Sequence, residues 1–336
     1  MELDVRGHPL HTRSLTVELR SAGRGRVRAN GRVLDLRKRG FVPVAADLQS
    51  SGVVHDMEIE AHVGLRDRTL GGIRCEQRAV AFEPSALTRG ESCRDPSPRL
   101  ALLEGVRLDE NYAAKLAEAI GGTRGCTHIL TLAHLLGATV AHVLASGGPE
   151  PREPGMRMFR RDVVVDGFEV DPTHMDLVLQ MTDLRFRPAP PIVSPMQRFG
   201  SELEVRAVFE VYVPEARITN LRAATRAREL ENLESATWQD RSGEIAGLVG
   251  ASLTRGIARR ILEFLPHPGP LRDALLMMAP AFVQCAAGLS EAWPVLFKNS
   301  GSLVGMGGFP DSCYMWRRGG PLAEAQKNDE PPPRLW

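Results

Sequence analysis

The sequence predicts an α+β fold: a tandem repeat of one antiparallel-sheet-plus-helices unit, with the second copy degenerate. Three observations carry that prediction. Residues 12–83 alternate apolar and polar side chains at the period of a half-buried strand, and residues 97–145 switch to helical period. After a Gly- and Pro-rich linker the same order begins again.

In the first copy, strands are expected at 13–19, 27–36, 56–63 and 69–82, separated by Gly-, Asn- and Asp-containing turns. Met57, Ile59, Ala61 and Val63 alternate with Glu58, Glu60 and His62, so one face is apolar. Leu100, Leu103, Val106 and Leu108 then belong to a short element. Tyr112, Leu116, Ala119 and Ile120 form one face of a helix. Ile129, Leu132, Leu135, Leu136, Thr139, Val140 and Val143 line a longer one.

Boundaries follow from composition. Residues 1–146 form the site-bearing copy, 147–158 the linker, 159–290 the degenerate copy, and 291–336 a tail that could return to copy one. The repeat rests on three anchors. Residues 56–63 align with 202–209 at an offset of 146, 103–108 with 248–253 at 145, and Asp35-Leu36-Arg37 with Asp183-Leu184-Arg185 at 148. Carried through, those offsets turn His55 into Ser201, Asp56 into Glu202, Cys93 into Trp238, Cys126 into Leu271 and His128 into Asp273. The apolar frame persists while the reactive residues are exchanged, which assigns the chemistry to copy one.

Whole-chain properties narrow the function. A net charge of +1 gives no global steering toward nucleic acid or membrane, and no apolar run approaches the ~20 residues of a bilayer span. The N-terminus lacks the plan of a signal peptide, so a cytoplasmic location is expected. Five cysteines, Cys75, Cys93, Cys126, Cys285 and Cys313, are odd in number and widely spread, which argues against a disulfide framework. A small-molecule substrate is the expected partner, with the chain a monomer holding an internal pseudo-dimer, or a homodimer.

The richest stretch is Gly121-Gly122-Thr123-Arg124-Gly125-Cys126-Thr127-His128, which opens the long helix. A thiol at a helix N-terminus is biased toward thiolate, the form that binds metals or attacks electrophiles. His55-Asp56 at a strand opening, Cys93 in a loop and Cys313 in the tail stand at element ends, from which side chains can converge. His55, Cys93, Cys126 and Cys313 are the expected metal ligands, with Asp56 and His128 as acid/base groups. Cys75 and Cys285 read as core residues, and His134 and His142 as packing histidines. The basic run from Arg20 through Arg32 to Arg37, Lys38 and Arg39 could hold phosphate, a CoA tail or nucleic acid, but the solvated face of an edge strand is the favoured reading. The Gly-rich 301–308 lacks the setting of a phosphate loop.

Val54-His55-Asp56-Met57, Gly125-Cys126-Thr127-His128 and Asp311-Ser312-Cys313, with Leu10-His11-Thr12-Arg13 upstream, resemble an uncharacterised bacterial domain family that has His-Asp-Met and Gly-Cys-Thr-His motifs. That resemblance implies a shared site and no assigned activity. The order Asp56, Cys93, Cys126 also resembles the U-type iron–sulfur scaffold proteins, which implies a strand–strand–helix frame with a metal corner.

Together these lead to a metal-dependent enzyme, using zinc or iron in a Cys/His/Asp centre and acting on a small carbonyl-containing substrate as a lyase or hydrolase. The alternatives are a non-enzymatic metal or iron–sulfur carrier or scaffold, and a cysteine-nucleophile enzyme using Cys126 and His128.

Overall fold

Alternation at period 2 is the strongest pattern in the chain, and the backbone obeys it. The computed structural model describes residues 7–23, 25–39, 42–44, 47–146, 152–188, 194–289 and 311–328. Residues 147–151 of the expected linker, the Gly-rich 301–308 and most of the 291–336 tail lie outside the described residues. The strands are β1 (His8–Gly23), β2 (Arg26–Arg37), β3 (Val42–Val44), β4 (Asp47–Gln49), β5 (Gly52–Gly64), β6 (Leu70–Ala79), β7 (Arg157–Asp171), β8 (His174–Phe186), β9 (Phe199–Tyr212), β10 (Arg217–Glu229) and β11 (Gln239–Asp240). β3 and β4 form a separate hairpin. The others make one antiparallel sheet in the order β11-β10-β9-β8-β7-β1-β2-β5-β6.

Helices cover the apolar face of this sheet. The helices among the described residues are α1 (Tyr112–Ile120), α2 (Thr127–Ala145), α3 (Ser242–Ile245), α4 (Ile257–Phe264), α5 (Pro270–Leu276), α6 (Met278–Ala287) and α7 (Pro321–Asn328), the last set in a small separate core. Along β1, Leu15, Val17 and Leu19 are buried while Ser14, Thr16 and Glu18 between them are only half-buried. α2 lies across β1, β2 and β5, and α6 across β7, β1 and β8. Tyr112 of α1 packs its ring where a side chain at Gly137 of α2 would stand and donates its hydroxyl to the Ala133 carbonyl at 2.8 Å. The other sheet face carries a lattice of charge pairs, including Arg32–Asp56, Arg78–Glu58 and Arg226–Glu204.

α2 has the length and hydropathy of a membrane-crossing helix, longer than the sequence scan suggested. Ile129, Leu132, Leu135, Leu136, Val140 and Val143 are buried against the sheet, so its apolarity serves the core. β2 lies between β1 and β5 rather than at an edge. Its arginines therefore divide by alternation: Arg26, Arg28 and Arg32 are exposed, and Arg37 is buried.

The two halves of the sheet meet where β1 pairs with β7, with Leu15 opposite Val163. Pairs in one half recur in the other 148 residues on. Arg13 faces Asp35 as Arg161 faces Asp183, Val33 faces Met57 as Met181 faces Val205, and Ile59 faces Cys75 as Ala207 faces Ala223. The following loops match at 145. Gly105 donates to Leu70, and Leu108 to Arg68, as Gly250 donates to Ile218, and Leu253 to Ala216. Register thus corrects the 146-residue strand offset by two, placing Leu203 rather than Ser201 opposite the role of His55. A two-residue slip is one full alternation, so it leaves every side chain on its own face and escapes detection by pattern.

Candidate metal centre

The inner face of the sheet is apolar until it reaches the ends of β1, β2 and β5, where the same alternation delivers polar groups. His11 and Arg13 share the phase of Leu15 and Val17, and Asp35 and Arg37 that of Val33. His55 arrives through a local irregularity: Asp35 pairs with His55 but Leu36 pairs with Val53, so Val54 bulges and both Val54 and His55 turn inward. His128 enters from above, in the first turn of α2. His11, Arg13, Asp35, Arg37 and His55 are each no more than 3% exposed, and His128 is 7% exposed.

Asp35 is the hub. His11 Nε2 donates to its Oδ1 at 3.0 Å. Around its Oδ2 stand His128 Nε2 at 3.2 Å, Arg13 Nη1 at 3.5 Å and His55 Nδ1 at 3.8 Å. None of these contacts meets the geometry of a hydrogen bond, and Asp35 Oδ2, His55 Nδ1 and His128 Nε2 are all buried without a hydrogen-bond partner. One ligand atom from each of the three residues lies within 4.8 Å of the others. Ligand atoms on a tetrahedral zinc ion stand about 3.3 Å apart, so the spacings at Asp35 Oδ2 suit a divalent ion. The imidazole rings of His55 and His128 lie against each other, their centroids 3.7 Å apart and their planes tilted by 30°.

Electrostatics keep these donors in metal-binding form. Burial works to raise the Asp35 carboxyl, but Arg13 and the imidazoles of His11 and His128 outweigh it and hold the group well below the usual carboxylate range. Burial drives His55 and His128 down, so both are neutral near pH 7. Asp35 is thus an anion and the rings are free bases.

The centre opens into a cavity of about 130 Å³. His55, Cys93, Cys126, His128 and Cys313 all line it, five of the six residues singled out from the sequence. Gly125 lets the chain enter α2 tightly, since a Cβ there would overlap the Ile120 carbonyl. The tail closes the cavity from the other side: Tyr314 N–H donates to the Gly125 carbonyl at 2.8 Å and Thr127 Oγ1 to the Ser312 carbonyl at 2.9 Å. Cys93 and Met315 pack with Phe82 and Trp316 in a small second core.

Two expectations are corrected, the placing of Asp56 and the thiolate bias of Cys126. Asp56 does not face the cavity. As the neighbour of His55 on a strand it points to the opposite sheet face, where Arg32 holds both its oxygens at 2.8 Å. Cys93, Cys126 and Cys313 line the cavity but stand outside the tight Asp35–His55–His128 cluster. The thiolate bias of Cys126 is also overridden. Burial, then the neighbouring Cys313, push its thiol up to about 12 against the backbone N–H groups of Ile129 and His128. Its Sγ lies 3.6 Å from His128 Nδ1, where it orients the ring.

His11, Arg13, Asp35 and Arg37 were not picked out by the sequence as site residues. The signal was there: each carries charge or a ring nitrogen at the apolar phase of a strand. Arg13 and Asp35 also recur as Arg161 and Asp183.

The second half has its own buried polar centre at the matching place. Arg161 Nε and Nη2 donate to the two oxygens of Asp183, each at 2.6 Å, and Nη1 donates to Asp273 Oδ2 at 2.7 Å. Asp273 is the residue paired with His128 by the 145 offset. Leu203 and Phe159 stand at the places of His55 and His11.

Comparison with known sequences adds one fact. Residues 11–142 match the sequence model of a family described as "Protein of unknown function (DUF2889)". The matched span begins at His11 and contains every polar residue of the Asp35 centre, together with Cys93 and Cys126; Cys313 and the second half lie beyond it. No curated protein and no solved structure matches the chain.

Proposed function

We propose that the protein is a metal-dependent enzyme whose single zinc or iron ion is held by Asp35, His55 and His128, acting on a small carbonyl-containing substrate in the adjoining cavity. The observation that carries this reading is the convergence of three buried, unpartnered ligand atoms from β2, β5 and α2. A buried polar atom without a partner costs about 1–3 kcal/mol, and three at one point call for a shared ligand. Two imidazoles and one carboxylate leave coordination positions open, as catalytic zinc and non-haem iron sites do. Such an ion polarises a carbonyl or activates water. His11 would fix the carboxylate and Cys126 the His128 ring. This donor set favours one ion over an iron–sulfur cluster, which takes mainly thiolates.

The recurring pairs also support reading the chain as two copies of one unit, the second having kept the frame and lost the ligands. A second chemistry is favoured by one contact, Cys126 Sγ at 3.6 Å from His128 Nδ1: a thiol nucleophile with a histidine base.

Metal analysis tests the main reading. Protein purified from metal-replete culture should carry about one equivalent of zinc or iron per chain, and Asp35→Asn should remove it. Folded native protein that neither retains zinc or iron nor takes either up on titration would sink the proposal. Rapid alkylation of Cys126 at neutral pH, unaffected by chelators, would favour the thiol reading.

A further inference from the structure

Two arginines in the cavity wall have no role in holding an ion. Arg13 is 1% exposed and Arg37 3% exposed, and both line the cavity beside the Asp35 cluster. Their places follow from register: Arg13 faces Asp35 across β1 and β2, and Arg37 faces His11 one alternation further along the same strands. Arg13 Nε and Nη2 and Arg37 Nε are buried with no acceptor. Arg37 spends Nη1 on the Gln49 and Ser50 carbonyls, at 2.9 and 3.3 Å, and no carboxylate among the described residues hydrogen-bonds to it.

The charge count is therefore unbalanced. Two guanidiniums line the cavity beside one carboxylate, Asp35, which Arg13 approaches at 3.5 Å. An uncompensated buried cation is unfavourable, and a bound metal ion raises the imbalance. The second half shows how the same frame solves the problem with its own residues. Arg161 is held by two carboxylates, Asp183 from the matching strand and Asp273 from α5. In the first half His128 holds the position that Asp273 has at the 145 offset, and among the described residues no second carboxylate pairs with Arg13.

We propose that the missing anion belongs to the ligand: Arg13 and Arg37 form a carboxylate-binding subsite, and the substrate is a small carboxylic acid with a short apolar body. The acid group sits on the unpartnered guanidinium N–H donors. Its carbon skeleton lies against Val54, Phe82, Val283 and Trp316. A carbonyl in that skeleton then reaches the Asp35–His55–His128 centre. This assignment rests on the proposed metal reading for what happens to the carbonyl, but not for recognition of the acid.

Calorimetric titration of the full chain with acetate and pyruvate, each beside its neutral amide, tests the subsite. Metal content is measured on the same samples, before and after chelation. The acids should bind at least about tenfold tighter than the amides, as expected for a charge-assisted pair, and Arg37→Gln should abolish that preference while Arg37→Lys keeps part of it. The acid–amide comparison on native protein stands even if Arg37→Gln fails to fold. Acid preference in metal-free protein supports the subsite although the metal reading fails. Protein with a full complement of metal that binds acid and amide equally, or binds neither, overturns the subsite and leaves the metal reading intact.

Discussion

Two buried centres stand on one sheet, built on matching arginine–aspartate pairs, and they have opposite degrees of completion. Around Arg161, three donors meet two carboxylates at 2.6–2.7 Å, and of the atoms in that group Asp273 Oδ1 alone is left without a partner. Around Arg13, the guanidinium only approaches Asp35 at 3.5 Å, and partnerless nitrogens and an oxygen collect about the same point. The difference teaches what each is for. A satisfied buried network rigidifies a fold, whereas one left open lowers stability and keeps its groups ready for something else. The exchanges that separate them are few: His11 for Phe159, His55 for Leu203 and His128 for Asp273.

The comparison can be broken first at the closed centre. Asp183→Ala should strand Arg161 without its bidentate partner and cost about 3–5 kcal/mol in denaturant unfolding, with metal content unchanged. If it costs less than about 1 kcal/mol, the closed centre is not the structural lock described.

Next, His128→Asp would give Arg13 the second carboxylate that Arg161 has. It should stabilise the metal-free protein by about 1–3 kcal/mol, the range for hydrogen bonds to charged groups, while ending metal binding. An unstable, still metal-bound variant would contradict the equivalence of the two centres.

A smaller effect is pH-dependent. His55 and His128 are both lowered in the folded protein, so the unfolded chain takes up protons first as the pH drops. Their contribution to stability is complete above the unfolded value near 6.5 and is lost as the pH falls from there toward the folded values. His55→Leu, which installs the residue of the second half, should reduce that acid slope by up to about 1.4 kcal/mol per pH unit in chelated protein. An unchanged slope on urea unfolding between pH 7 and 5 would place the protonation elsewhere, as at His134 and His142, half-buried imidazoles whose values also fall.

The smallest effect belongs to Asp56. Its partner Arg32 is half exposed, so Asp56→Ala should cost no more than about 1 kcal/mol and leave bound metal untouched.

These contrasts also explain what the sequence disclosed. The strands and the helices on one face were legible because alternation and helical period are local signals. His55, Cys93, Cys126, His128 and Cys313 could be gathered because all stand at element ends. Asp35 was overlooked as a site residue: it appeared only as one of three repeat anchors, and nothing local distinguishes a buried aspartate from a surface one. Asp56 was chosen in its stead because adjacency to His55 looked like partnership, whereas on a strand adjacent residues face opposite sides. Arg37 was read as surface charge because the interior position of β2 depends on β1 and β5, which only the pairing reveals.

The most direct test is X-ray absorption at the metal edge of the loaded protein. The account predicts a first shell of nitrogen and oxygen only, at about 2.0–2.2 Å, with two imidazoles resolved in its outer scattering. It also predicts that Cys126→Ser leaves the spectrum intact and Asp35→Asn removes the metal. A sulfur shell near 2.3 Å that vanishes with Cys126 would contradict it, moving the ion from the Asp35 cluster to the thiols.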